Sequence, residues 1–285
     1  MSTLPQPTLA ATPATPLPPI AFIGGGNMAS AIVGGLIRQG TPASTFEVVE
    51  PWPEARARLA AEFGIEALPE ANHAIARCEV VIWAVKPQSF AEAARPVRQW
   101  TADALHLSVA AGISSDSIAH WLGTERIVRA MPNTPALIGK GVSGLFARPA
   151  ANADRALVEQ VLAPTGQLLW MADEASLDAV TAISGSGPAY IFYFIEAMTE
   201  AGVEMGLPPE QAHQLAVGTF TGASALAAAA SDPPSVLRAR VTSKGGTTHA
   251  AITSMDAAQV KASFKAAIRA AQQRAGQLAQ EFGKG

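Results

Sequence analysis

The stretch "IAFIGGGNMASAIVGGLIRQG" covers residues 20–40. An unbroken apolar run meets three consecutive glycines, and small and branched apolar residues at helical spacing follow. Gly24, Gly26 and Ala29 fit G-x-G-x-x-G/A at the junction of a strand and a helix. In that pattern the first glycine permits a tight turn. The second lets backbone approach a pyrophosphate, and the third small residue lets helix and strand pack closely. The helix start then offers free N–H groups and a partial positive charge to phosphates. Glycine turns also serve plain packing, so the surroundings decide. This one opens the first strand–helix unit, and an acid, Glu50, ends the next strand at the distance expected of a ribose ligand. The bare backbone reads as a dinucleotide site.

Two cofactors fit this reading. An acid at the end of the second strand favours a free ribose 2′-OH, hence NAD. Arg56 and Arg58 lie just beyond it, either to meet a 2′-phosphate or as a solvated helix face.

Outward from this turn, short apolar runs alternate with helical patterns from residue 19 to 171. Runs at 20–24, 46–50, 80–85 and 105–110 read as buried strands, with later ones at 126–131 and 142–147. The segments between the first four look helical, including 28–39 and 54–63. Nearly all-apolar strands alternating with helices predict a parallel sheet covered on both faces. From about residue 175 Ala, Leu, Met and Gly recur at helical spacing, and no strand is expected after Trp170. Helices are expected over 188–205, 209–230, 234–241, 247–254 and 257–282, with "GLPPE" and "SDPPS" as breaks. The predicted fold is α/β: a Rossmann-type domain over 19–173, then a helical domain over 174–285. Helical residues such as "LAVGTFTGASALAAAA" (215–230) have few polar positions to face water, which predicts a partner subunit.

The 285 residues are 49% hydrophobic with a net charge of −3, which gives no electrostatic footprint for nucleic acid or an anionic membrane. No apolar stretch approaches the length of a membrane span. Cys78 is the one cysteine, so no intrachain disulfide forms, which fits a reducing compartment. Residues 1–18 are uncharged Pro/Thr/Ala sequence and read as a disordered tail.

Other strand ends carry turn motifs. "AVKP" (84–87) places Lys86 as a base, a phosphate contact or a surface lysine, and "AAGI" (110–113) and "MPNTP" (131–135) complete a plausible cofactor rim. In the helical half, "SGSGPAY" (184–190) and "VTSKGGTTHAAI" (241–252) are small-residue loops feeding helices. Such loops suit an anionic group, through outward N–H groups and hydroxyls, or serve as plain helix caps. The histidines at 73, 106, 120, 213 and 249 sit in unrelated contexts, and no metal or acyl-transfer motif is found. A nicotinamide carries its own hydride, so few catalytic side chains are required.

"FIGGGNMASAIVGGL", "AVKPQ", "AAGI", "RAMPNTPALIGKG", "DAVTAISGSGPAYIFYFIEAM" and "RVTSKGGTTHAAI" occur in this order. Together they resemble the Δ1-pyrroline-5-carboxylate reductases, from Ile20 to the last helix. The resemblance implies a Rossmann domain and a helical dimerisation domain, homodimers, and in many members decamers of five dimers. It implies reduction of (S)-1-pyrroline-5-carboxylate to L-proline by NADPH, with NADH as the alternative, in the cytoplasm. Cofactor contacts then fall on Ile23, Gly24, Gly25, Gly26, Asn27, Met28 and Ala29, on Ala84, Val85, Lys86 and Pro87, and on Ala110, Ala111 and Gly112. Glu50 joins them from the residue reading. The substrate carboxylate is implied at Ser243, Gly245, Gly246, Thr247 and Thr248, with Thr248 near the ring nitrogen as the catalytic position. Glu174 matches a carboxylate near the proline site of relatives. Many members carry Pro where this chain has Lys244. Two rivals share the layout: a β-hydroxyacid dehydrogenase, whose helical lysine motif is missing here, and a dinucleotide sensor, which would have lost its substrate loop.

Overall fold

A computed structural model of the chain describes residues 16–283. Residues 1–15, most of the expected tail, lie outside the described residues. Leu17 already packs against the core.

The first half is a seven-stranded sheet. In chain order the elements are β1 (Ile20–Ile23), α1 (Asn27–Arg38), β2 (Phe46–Val49), α2 (Pro53–Phe63), β3 (Val80–Trp83), α3 (Phe90–Val97), β4 (Leu105–Ser108), α4 (Ser115–Leu122), β5 (Ile127–Met131), β6 (Gly141–Ala147), α5 (Arg155–Leu162) and β7 (Gly166–Trp170). Their spatial order is β2-β1-β3-β4-β5-β6-β7. The expected all-parallel sheet needs one correction: β6 runs antiparallel to β5, and β7 then pairs parallel with β6. Only a short 3₁₀ turn, Thr134–Ile138, joins β5 to β6. A parallel return would need a crossover of a dozen residues or more.

Side-chain alternation divides the core in two. Ile20, Phe22, Val80, Ile82, Leu105 and Leu107 pack on one face. Ala21, Ile23, Val81 and Trp83 pack on the other, with Phe90 and Ile118. Because both faces are covered, β1, β3 and β4 are buried throughout; β1 and β3 are wholly apolar, and β4 alternates Leu with the buried polar residues His106 and Ser108. Local chemistry sets several helix ends. Pro53 opens α2, the Ser114 hydroxyl accepts from the Ser117 N–H at 3.1 Å at the start of α4, and Gly123 closes α4 in the left-handed region.

His106 lies on β4, 1% exposed. The Trp83 Nε1–H donates to His106 Nδ1 at 3.0 Å, so the ring's proton sits on Nε2, 3.0 Å from the Thr101 carbonyl. Burial is the main reason its pKa drops from 6.5 to about 4. In the window between those values the unfolded chain takes up a proton that the folded chain refuses. Stability is therefore complete above about pH 6.5 and is lost as pH falls toward 4, by roughly 3 kcal/mol from this residue. Denaturant titrations across that range should show the loss, and His106→Gln should remove much of its slope.

The second half is helical: α6 (Ser176–Val180), a π-turn (Thr181–Gly185), α7 (Gly187–Glu204), α8 (Pro209–Ala229), α9 (Pro234–Arg240), α10 (Thr247–Ala257) and α11 (Val260–Phe282). The expected helices are present with ends moved by up to three residues. Within one chain this half buries little. Phe192 is 64% exposed, Leu226 72% and Met205 78%. No helix among the described residues is long and apolar enough to cross a membrane.

Candidate active site

The glycine turn joins β1 to α1 beside the ends of β2 and β3. Gly24 has φ +96°, and its N–H donates to the Val49 carbonyl at 2.8 Å. A Cβ there would lie 2.6 Å from the Ala84 carbonyl oxygen, so the turn is pressed against the "AVKP" strand end. A Cβ on Gly25 would meet Leu59 Cδ1 at 2.6 Å. A Cβ on Gly26 would meet no atom within 4 Å. Gly26 is also the N-cap of α1 and supplies no side-chain cap to the first-turn N–H groups, and the space where its Cβ would stand is open. That space and those donors fit a pyrophosphate.

Glu50 closes β2, 6% exposed. Its Oε2 accepts the Gly25 N–H at 2.7 Å and its Oε1 accepts the Trp52 N–H at 3.0 Å. Arg56 donates to the Glu50 and Pro51 carbonyls at 3.0 and 2.7 Å, and Arg58 to the Gly25 carbonyl at 3.2 Å. Ala84 extends the β1–β3 ladder by donating to the Ile23 carbonyl at 2.8 Å. Ala84, Val85 and Pro87 are half-buried there, and Lys86 is exposed. At the end of β4, Ala110 is buried while Ala111 and Gly112 are half-buried. A Cβ on Gly112 would lie 3.2 Å from Leu278 Cβ, so the last helix, α11, returns to this rim. The expected cofactor residues thus gather at the carboxyl ends of β1, β2, β3 and β4.

The "SKGGTT" turn precedes α10. Gly245 has φ +78°, and the Gly246 N–H donates to the Ser243 carbonyl at 3.0 Å. Gly246 is the N-cap of α10 without a side-chain cap, which leaves the Thr247 and Thr248 N–H groups open. Ser243, Lys244, Gly245 and Thr247 are exposed; Gly246 and Thr248 are half-buried. No hydrogen bond among the described residues joins this turn to the Rossmann rim. Within one chain the glycine turn and the strand ends around it come together, and the "SKGGTT" turn stands apart from them.

Glu174 stands at the junction, the first residue of the helical half. Its carboxylate accepts from the Ser115 N–H at 2.6 Å, the Ser115 hydroxyl at 2.5 Å and Arg129 at 2.6 Å. It fastens the start of the helical region to β5 and α4. Burial raises the pKa of neighbouring Asp178, with Arg129 opposing the shift and Glu174 adding to it. Sequence reading missed Arg129 and Ser115. The signal was the arginine inside the otherwise apolar strand "IVRAM" (127–131). Asn133 links the halves a second time. Its Nδ2 donates to the Ser184 carbonyl at 3.1 Å, and its Oδ1 accepts from the Val142 N–H at 2.9 Å. The "MPNTP" rim thereby holds the π-turn that leads into α7, and single π-turns often mark functional sites.

Known proteins share this arrangement. Residues 174–278 match the family model described as pyrroline-5-carboxylate reductase dimerisation. A pyrroline-5-carboxylate reductase of Pseudomonas aeruginosa is 45% identical over 274 residues, covering 94% of this chain and 99% of that protein. This chain belongs to the pyrroline-5-carboxylate reductase family. A reductase of Pisum sativum is 37% identical over 91% of this chain and 95% of its own length. Residues 19–112 match the model described as NADP oxidoreductase, coenzyme F420-dependent. Among solved structures, the Coxiella burnetii pyrroline-5-carboxylate reductase superposes with a TM-score of 0.85 at 34% identity, covering 92% of this chain and 98% of that one. The Plasmodium falciparum enzyme, solved with NADP bound, gives 0.83 at 25% identity, covering 93% and 100%.

Proposed function

We propose that this chain reduces (S)-1-pyrroline-5-carboxylate to L-proline with NAD(P)H, through a site shared between the Rossmann rim and the helical domain. The observation that supports it most is the empty space before Gly26 and the uncapped start of α1, where the chain's own atoms leave room for a pyrophosphate. We take 19–173 as the cofactor domain and 174–285 as the dimerisation domain.

The bound nicotinamide supplies the hydride. Ile23 to Ala29 hold the pyrophosphate side, Glu50 takes the adenosine ribose, and Ala84 to Pro87 with Ala110 to Gly112 border the rest of the cofactor. Ser243 and the N–H groups of Gly245, Thr247 and Thr248 hold the substrate carboxylate at the positive end of α10, while the Gly246 N–H closes the turn on the Ser243 carbonyl. Orientation of the imine carbon supplies several kcal/mol of the barrier. The Thr248 hydroxyl hydrogen-bonds the ring nitrogen, whose proton comes from solvent or arrives with the substrate, because an alcohol is a poor acid. Glu174, tied to Ser115 and Arg129, positions the helical domain against the rim. Thr248→Ala should then lower kcat moderately, by about tenfold, the worth of one hydrogen bond. Complete loss of turnover would instead make Thr248 an obligate acid.

The apolar faces of α7 and α8 support a homodimer. A decamer of five dimers and a cytoplasmic location are further expectations of this reading. Pyrroline-5-carboxylate-dependent oxidation of NADH and NADPH by the purified protein, with proline identified as product, tests it. Tight cofactor binding with no turnover of the imine would overturn it.

A further inference from the structure

We propose that Asp178 is a positioning residue for the reduction, kept in the seam between the two halves at a cost in stability. The inference rests on the reductase function proposed above and adds a residue that acts through Arg129 rather than on the reacting atoms.

Asp178 follows Glu174 by four residues, one helical turn, so two carboxylates address the single guanidinium of Arg129. Glu174 is engaged by Ser115 and Arg129. The Asp178 carboxylate accepts no hydrogen bond among the described residues. Gly276 of α11 stands against it, where a Cβ would lie 3.4 Å from Oδ2. Arg129, with its side chain 11% exposed, gives Nη1 to Glu174, and its Nε is buried without a partner. Burial raises the Asp178 pKa more than Arg129 lowers it, and Glu174 adds to the rise. A charged carboxylate there destabilises the fold, and a neutral amide of the same shape would not. A charge kept against stability points to a role in function.

The seam itself is tight. A Cβ on Gly144 would lie 2.7 Å from Val180 Cγ2, so α6 is already pressed onto the backbone of β6. The movable part is the long Arg129 side chain, which Glu174 anchors at Nη1 alone. The Asp178 charge restrains the rest of the guanidinium. The strand that carries Arg129, β5, also carries Met131, whose Cε would lie 2.6 Å from a Cβ on Gly185. It leads on to Asn133, which holds the Ser184 carbonyl. Fixing Arg129 therefore fixes the π-turn and the start of α7 against the "MPNTP" rim.

Thermal melting and steady-state kinetics of the full chain, wild type against Asp178→Asn, test this. At neutral pH the variant should melt about 2–4 °C higher. Its kcat with pyrroline-5-carboxylate should fall about tenfold, with KM within about twofold, because orientation and not binding is lost. A residue that served packing alone would move the melting point and leave kcat. The stability gain should follow the charge. With the folded pKa raised, the penalty is full above that pKa and is gone once pH falls to the ordinary value of 3.8. The gap between the two melting curves should therefore close toward pH 3.8. His106 titrates in both proteins and cancels. Arg129 and Glu174 are the charged groups that act on Asp178, and Gly276 brings none from α11. A variant that melts lower or does not fold overturns the proposal, and so does one with wild-type kcat. An inactive wild type would remove the reductase function and this role with it, whereas an active wild type matched by Asp178→Asn removes this role alone.

Discussion

Gly24→Ala should lose about a hundredfold in cofactor affinity and roughly 2–5 kcal/mol of stability. The conformation at φ +96° is one that an L side chain rarely adopts. The new Cβ would also lie 2.6 Å from the Ala84 oxygen and 2.9 Å from the Ala84 carbon. Both are backbone atoms of a strand end paired to β1, so neither can yield as a flexible side chain does. The turn would have to move away from "AVKP", and the first-turn N–H groups of α1 would move with it. Gly26→Ala separates the two consequences. Its Cβ meets no protein atom within 4 Å, so stability should hold to within about 0.5 kcal/mol while cofactor binding weakens. Calorimetry and thermal melting on both variants check this. Full-strength cofactor binding by Gly26→Ala would show that no pyrophosphate uses that space.

Phe192→Asp should convert the protein to a monomer and remove its activity. Phe192 is 64% exposed in one chain and borders an open groove with Ala189, Glu196, His213 and Val217. Tyr193 beside it is 68% exposed, and Leu226 on α8 is 72% exposed. A contiguous apolar surface of this kind marks an interface. In a two-fold dimer each substitution occurs twice. At about 2 kcal/mol of lost burial per copy, dimer affinity falls by roughly a thousandfold, before the cost of burying two carboxylates. Activity should fall with it under the proposed shared site, because among the described residues the "SKGGTT" turn has no hydrogen bond to the rim of its own chain. Light scattering and turnover measured on the same sample decide this. A fully active monomer would place the whole site within one chain.

Much of this was legible from residues. The run at 20–24, the three glycines and the acid at position 50 are local signals, and each matches the geometry found. The helices of the second half could be bounded to within three residues because Pro and Gly mark their ends at 206–209 and 231–234. Other features were not legible. "VSGLFA" reads as a strand in either direction, and only its pairing with β5 makes it antiparallel. Glu174 follows a loop and carries no mark of its destination; its partners lie 59 and 45 residues away. The bond from Trp83 to His106 spans 23 residues and could not be read from a lone histidine in a strand.

The sequence by itself determined the first six strands in their order, the helices of the second half, the place of the glycine turn, and the apolar excess that calls for a second subunit; β7 was not read from it. These depend on periodicity and backbone freedom over a few residues, which are properties of the local chain. The tertiary structure alone decided the reversal of β6, the fastening of Glu174 by Ser115 and Arg129, and the turning of Arg56 and Arg58 onto the glycine turn. Each depends on which distant groups meet, and a charged or polar side chain takes its role from the partner that satisfies it once water is excluded.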